Sequence, residues 1–195
     1  MNIPDWFSSP LQGTLLVGSF YAWGIIELAN TLLNARRFKG ARRQDRGSYW
    51  IVLITLYSAM VLIVATRSLK VGDLPALFQW IGLALIWIGV LVREWAVLSL
   101  GRAFSVVVKT EPDQNLISSG PYRWVRHPAY TGSVITIGGF GLAVGSWLGT
   151  VLAMTIALIG YSYRVYVEER VLLEAFGDKY RDYMRHTGRF VPRIR

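Results

Sequence analysis

Apolar residues run along this chain in long unbroken blocks, not in the alternating period of a half-buried strand. Ser8 to Ile26 carries no charged residue, Tyr49 to Thr66 is a second such stretch, and Leu74 to Val92 is a third. Each is close to the roughly 20 residues that take an α-helix across about 30 Å of hydrocarbon. The block from Ala129 to Tyr163 is 35 residues without a charge, too long for one ordinary span. Gly138, Gly139, Gly141, Gly145 and Ser146 punctuate it, which predicts two spans in a tight hairpin turning near Gly145 and Ser146. Such glycines let two helices approach closely.

Backbone polar groups in lipid must be paired internally, by helices or by a closed barrel. Runs of this length without alternation exclude the barrel. The expected fold class is therefore all-α: a polytopic membrane protein with five transmembrane helices, the last two a tight hairpin, plus a cytoplasmic loop and a C-terminal helix. Residues 1–99 hold the N-terminal transmembrane helices and residues 100–195 the rest, and 195 residues suit one integrated membrane domain. The first span is not read as a signal peptide, because no basic segment precedes it.

Composition sharpens this picture. Hydrophobic residues make up 53% of the chain and charged ones 17%, too little polar surface to cover a soluble globule. The absence of Cys removes disulfides, thiolate metal sites and cysteine nucleophiles. His127 and His186 are the only imidazoles and lie in different segments, so no metal site is expected. The eight Trp read as interfacial anchors and core.

The net charge of +9 is concentrated. Arg36, Arg37, Lys39, Arg42, Arg43 and Arg46 crowd the loop between the first two spans. That is the positive-inside pattern of a cytoplasmic loop, attracted to anionic membrane lipids, and not a nucleic-acid groove. The N-terminus then faces outward. The near-neutral loop Arg67 to Asp73 and the uncharged hairpin turn lie outside as well. The segment Gly101–Arg126 and the basic C-terminal tail face the cytoplasm. No obligatory protein partner is implied.

Chemistry concentrates in the second half. Gly120-Pro121-Tyr122 marks a turn, and Arg126-His127-Pro128 returns the chain to the membrane. Pro128 suits a first helical turn, whose free N–H groups could face an anionic ligand group, or it simply starts a helix. Arg164 and Glu168, four apart, share one helical face at the inner membrane edge. They form either an ion pair or a functional pair. Ala175-Phe176-Gly177 reads as a helix end with Gly in the left-handed region. Asp178 is then expected to cap a short helix with Tyr180, Tyr183 and Met184 on its apolar face. Glu27 sits near the inner end of the first span, as an interfacial carboxylate or a substrate contact. Arg93 and Glu94 end the third span.

Two blocks carry a resemblance. The first is Leu100-Gly101-Arg102 followed by Leu116-Ile117-x-x-Gly120-Pro121-Tyr122-x-x-x-Arg126-His127-Pro128-x-Tyr130-x-Gly132. The second is Arg164-x-x-x-Glu168-Glu169-x-x-Leu172-x-x-x-Phe176-Gly177-x-x-Tyr180-x-x-Tyr183. In order and spacing they resemble the isoprenylcysteine carboxyl methyltransferases over about residues 100–192. The resemblance implies a methyltransferase core in residues 100–195, holding S-adenosylmethionine in a cytoplasmic pocket closed by the third loop and the C-terminal helix, with S-adenosylhomocysteine as product. It also implies a lipophilic small-molecule substrate entering between helices. By motif, Gln114, Asn115, Leu116, Ile117, Tyr122, His127, Pro128, Ala129, Tyr130, Glu168 and Glu169 would bind the cofactor. Arg164 would be the catalytic residue that orients the nucleophile. Several relatives carry His where this chain has Gln114.

These residue types suit the chemistry implied. Methyl transfer from a sulfonium is an in-line displacement, for which the protein supplies positioning and excludes water. A carboxylate nucleophile needs no general base, so His127 is expected to be a pocket wall. A single Arg orients an anion bidentately. The same fold could instead methylate a phospholipid amine or a small thiol. A reductase of the sterol type using NADPH is a further alternative, for which the chain lacks the expected length.

Overall fold

The structure is a computed structural model that describes residue 7 and residues 9–37, 47–101 and 116–193, with backbone only over 34–37. Within these residues the chain is helical. It comprises α1 (Pro10–Arg37), α2 (Ser48–Ser68), α3 (Ala76–Leu100), a 3₁₀ turn (Gly120–Arg123), α4 (Pro128–Val144), α5 (Trp147–Phe176) and α6 (Asp178–His186). Four helices are long and apolar enough to cross a membrane, and α4 is a shorter apolar helix. At 17 residues α4 spans about 25 Å, at the short limit for crossing.

Helices α1 and α3 outrun the uncharged stretches that announce them, and polar side chains beyond those stretches bond across the two helices. Arg93 donates through two nitrogens to the Glu27 carboxylate, and Asn30 donates to Glu94 at 2.9 Å. In a low-dielectric setting such pairing lets a helix continue past charged positions. Elsewhere α1 shows much of its surface outward and packs Phe20 and Trp23 on Phe140 at ring separations of 5.9 and 5.5 Å.

The core lies between α2, α3, α4 and α5, around Ala59, Ile63, Ile86, Ile137, Phe140, Ala153 and Ala157. The hairpin glycines divide their work between two neighbours, so the close approach expected within the hairpin serves α3 as well. A Cβ on Gly139 would fall 2.6 Å from the Ile86 nitrogen of α3, and one on Gly141 would fall 2.5 Å from Thr150 Oγ1 of α5. Small residues are what allow such backbone proximity where packing drives association.

The hairpin turns where expected. Gly145, at φ +87°, ends α4, and Ser146 caps α5 by accepting from Gly149 N at 3.0 Å. This turn is stitched to the loop between α2 and α3. Ser146 Oγ donates to the Val71 carbonyl at 3.1 Å, and Leu74 N donates to the Gly145 carbonyl at 2.9 Å. Both loops therefore share one end of the bundle. At the other end Gly177 breaks α5, but with ψ −124° it is not in the left-handed helical region. It takes the N-cap position of α6, so Asp178 is the first helical residue and not the cap. There Asp178 lies in the first turn, where its charge complements the helix dipole.

Candidate active site

The site forms where the start of α4 and the C-terminal part of α5 meet the 3₁₀ turn and the tail after α6. The turn is tight for a local reason. Gly120 has φ +59°, and a Cβ there would lie 2.7 Å from Ser99 Oγ. Pro121 and Tyr122 are buried against α3, where Tyr122 clusters with Ala96 and Ala129, and Leu100 and Ile117 pack on that group. Tyr183 of α6 donates to the Tyr122 carbonyl at 2.6 Å. Burial, with the Glu168 charge as a second cause, pushes the Tyr122 hydroxyl pKa well up.

The segment entering α4 is held by the tail. Arg126 N donates to the Gly188 carbonyl at 2.8 Å, Gly188 N to the Trp124 carbonyl at 3.1 Å, and His127 N to the Arg189 carbonyl at 3.1 Å. Thr131 Oγ1 adds a bond to the Phe190 carbonyl at 2.7 Å. These bonds satisfy backbone donors that the start of a helix would otherwise leave bare. They also fix where His127 and Tyr130 point.

The two adjacent acids of α5 separate, because neighbouring helical positions face different directions. Glu169 is buried, and both its oxygens are engaged. Arg126 Nε reaches one at 3.0 Å and Arg189 the other at 2.7 Å, with His127 Nε2 at 3.3 Å from the first. Arg126 also donates to the carbonyls of Met184 and Thr187. Glu169 is thus the centre of the clasp that ties tail, turn and α5 together.

Glu168 is different. Its side chain is 30% exposed, and Tyr130 Oη donates to its Oε2 at 2.9 Å. Among the described residues nothing donates to its other oxygen. The same Tyr130 hydroxyl accepts from Arg164 Nε at 3.1 Å. Arg164, buried, also donates to Ser48 Oγ at 2.6 Å, a residue at the start of α2. So Arg164 and Glu168, expected on one face as either an ion pair or a functional pair, are linked through the Tyr130 hydroxyl. The Tyr130 ring stacks between His127, at 5.8 Å, and Tyr161, at 5.2 Å.

Of the residues singled out in the sequence, Tyr122, His127, Pro128, Ala129 and Tyr130 gather here with Arg164, Glu168 and Glu169. Leu116 and Ile117 are half-buried beside the turn. Gln114 and Asn115 lie outside the described residues. Glu27, Arg93 and Glu94 belong to the seam between α1 and α3. Tyr161, Arg126, Arg189 and Ser48 were not assigned roles from sequence. Tyr161 stands three residues before Arg164 and shares its helical face, a spacing that would have flagged it. Nothing local marks Ser48 or Arg189, which reach the site only through the fold.

The arrangement offers a carboxylate with spare acceptor capacity, an aromatic wall and a guanidinium at one end of a bundle of apolar helices. It suits a ligand carrying hydroxyl or ammonium groups, and it keeps a cation near for an anionic partner.

Known proteins resemble this chain in sequence and fold. The sequence profile of the family described as phospholipid methyltransferase matches residues 77–179. The protein-S-isoprenylcysteine O-methyltransferase of Schizosaccharomyces pombe is 24% identical over 199 residues, covering 91% of this chain and 84% of that protein. The protein of the same name from Saccharomyces cerevisiae is 34% identical over 116 residues, covering 58% of this chain and 48% of its own. The chain therefore matches about half the length of that relative. The solved structure of a eukaryotic intramembrane Ras methyltransferase, isoprenylcysteine carboxyl methyltransferase, aligns with a TM-score of 0.69 at 24% identity, over 97% of this chain and 70% of that one. That likeness establishes a common fold.

Proposed function

The chain belongs to the phospholipid methyltransferase family, and we propose that it transfers a methyl group from S-adenosylmethionine to a lipophilic acceptor, the carboxylate of a prenylcysteine-like compound, at the cytoplasmic face of the membrane. It is an integral membrane protein. Its orientation follows the basic loops, with the N-terminus outside and the site and C-terminus in the cytoplasm. The observation that carries the reading is the shared hydroxyl of Tyr130, bonded to Glu168 on one side and Arg164 on the other.

Glu168, with an oxygen still able to accept, fits the hydroxyl and ammonium groups of the cofactor. Leu116, Ile117, Tyr122, His127, Pro128, Ala129 and Tyr130 would line its place, with Gln114 and Asn115 completing the set that the motif implies. Glu169 serves this wall by holding Arg126 and Arg189. When bound, S-adenosylmethionine supplies an electrophilic methyl on a sulfonium. Arg164 orients the acceptor carboxylate toward it as a planar, bidentate donor. A single cation suffices, because tighter binding of the ground-state anion than of the transition state would slow transfer. The buried His127 ring, set between Tyr130 and Glu169, acts as wall, and the reaction of a carboxylate leaves it no proton to remove.

A second reading changes only the acceptor, to a phospholipid amine, and the name of the matched family favours it. One experiment tests both. Titration calorimetry in detergent measures binding of S-adenosylhomocysteine and of NADPH, and methyl-label transfer is then screened against prenylcysteine analogues, phospholipid amines and small thiols. Binding of S-adenosylhomocysteine with label on a prenylcysteine carboxylate is expected. Label on the amine alone would replace the acceptor, and binding of NADPH alone would reject the methyltransferase chemistry.

A further inference from the structure

The hydroxyl of Tyr180 is buried and has no hydrogen-bond partner among the described residues. The residue is 1% exposed, the largest of the fully buried side chains. A buried, unpaired hydroxyl is destabilising, so its persistence calls for a reason. Packing does not need the oxygen, since Phe would fill the same volume. Tyr180, on the apolar face of the short helix, is turned into the protein. It lies inward, its ring 5.8 Å from that of Tyr183, which anchors α6 to the 3₁₀ turn. The charged groups that act on it are Glu169, Glu168 and Arg126, and with burial the two carboxylates hold its proton on.

The nearby acceptors are unequal. Glu169 is saturated by Arg126, Arg189 and His127. Glu168 has an oxygen that accepts nothing among the described residues, and its side chain is partly exposed. An unpaired donor on α6 and an open acceptor on α5 thus stand at the same end of the bundle. We propose that Tyr180 is a positioning residue for Glu168, its hydroxyl becoming a second donor to that carboxylate when the cofactor is bound. Tyr130 then holds one oxygen from α4 and Tyr180 the other from α6, and the remaining lone pairs of the carboxylate are left aimed at the ligand. This rests on the reading of Glu168 as the cofactor-binding acid.

The test is Tyr180→Phe in the full chain, purified in detergent, read by calorimetry with S-adenosylhomocysteine and by thermal unfolding without ligand. The expected result is affinity reduced about tenfold, the worth of one hydrogen bond, with the ligand-free Tm unchanged or raised. In the Glu168→Gln background the acceptor is neutral, and Tyr180→Phe is expected to cost clearly less than in the wild type. Unchanged affinity in the single variant overturns the proposal, as does a fall in ligand-free Tm, which would mark a packing role. An equal loss in both backgrounds also overturns it, by showing direct contact with the ligand. A wild-type protein that binds no S-adenosylhomocysteine fails at the earlier step and rejects the cofactor reading itself.

Discussion

Tyr130 on α4 and Glu168 on α5 are joined by a 2.9 Å hydrogen bond from phenol to carboxylate, and Arg164 donates to the same phenol oxygen. The polar groups that matter most are therefore coupled, and a change at one must be judged by what it does to the others.

Tyr130→Phe keeps the ring between His127 and Tyr161 and removes only the shared oxygen. Loss of one donor to a charged acceptor should weaken S-adenosylhomocysteine binding by about 1.5–3 kcal/mol. Calorimetry in detergent reads this directly, and unchanged affinity would show that Glu168 is oriented without it.

Glu168→Ala should abolish detectable cofactor binding, whereas Arg164→Lys should bind within about threefold of wild type and turn over at least tenfold more slowly. The conservative Arg variant is the informative one, because Arg164 is buried and bonded to Ser48. Single-turnover methyl transfer beside binding isotherms separates the two effects. Equal losses of binding in both variants would refute this division of roles.

Glu169→Ala should destabilise the protein by about 3–5 kcal/mol, since it leaves Arg126 buried without its carboxylate. Thermal unfolding checks this. A variant of normal Tm that fails only to bind cofactor would make Glu169 a ligand-contacting group instead of a clasp.

Gly82→Ala would put a Cβ 2.2 Å from the Ala143 nitrogen, while Gly24→Ala meets nothing within 4 Å. The first should cost about 1–3 kcal/mol by forcing α3 from α4, and the second should be neutral or slightly stabilising. Comparable Tm values for the two would contradict the close helix contact.

Burial pushes the Tyr183 hydroxyl up to about 12, against about 10 in an unfolded chain. The folded form thus keeps a proton that the unfolded form releases, and stability favours the fold fully below about pH 10 and declines as pH rises through 12. Tyr183→Phe should flatten the alkaline limb of Tm against pH. An unaltered limb would assign the loss to other groups.

Much of this was legible beforehand. The hairpin turn at Gly145 and Ser146, the helix start at Pro128 and the shared helical face of Arg164 and Glu168 follow from local rules of length, backbone conformation and helical spacing. Three features were not legible. Glu168 and Glu169 look equivalent in the chain, and only the positions of Arg126 and Arg189 separate a clasp from an open carboxylate. Glu27 reads alone as an interfacial acid, since its partner Arg93 is distant in sequence. Ser48 carries no local signal, and its contact with Arg164 exists only because α2 packs on α5.

The backbone pairing of residues 126–127 with 188–189 joins two distant parts of the chain. These partners flank the whole of α4, α5 and α6, so the pairing closes a loop around all three helices. The C-terminal tail is thus a structural part of the wall that holds Arg126 and His127, and shortening it would loosen a segment more than sixty residues earlier in the chain.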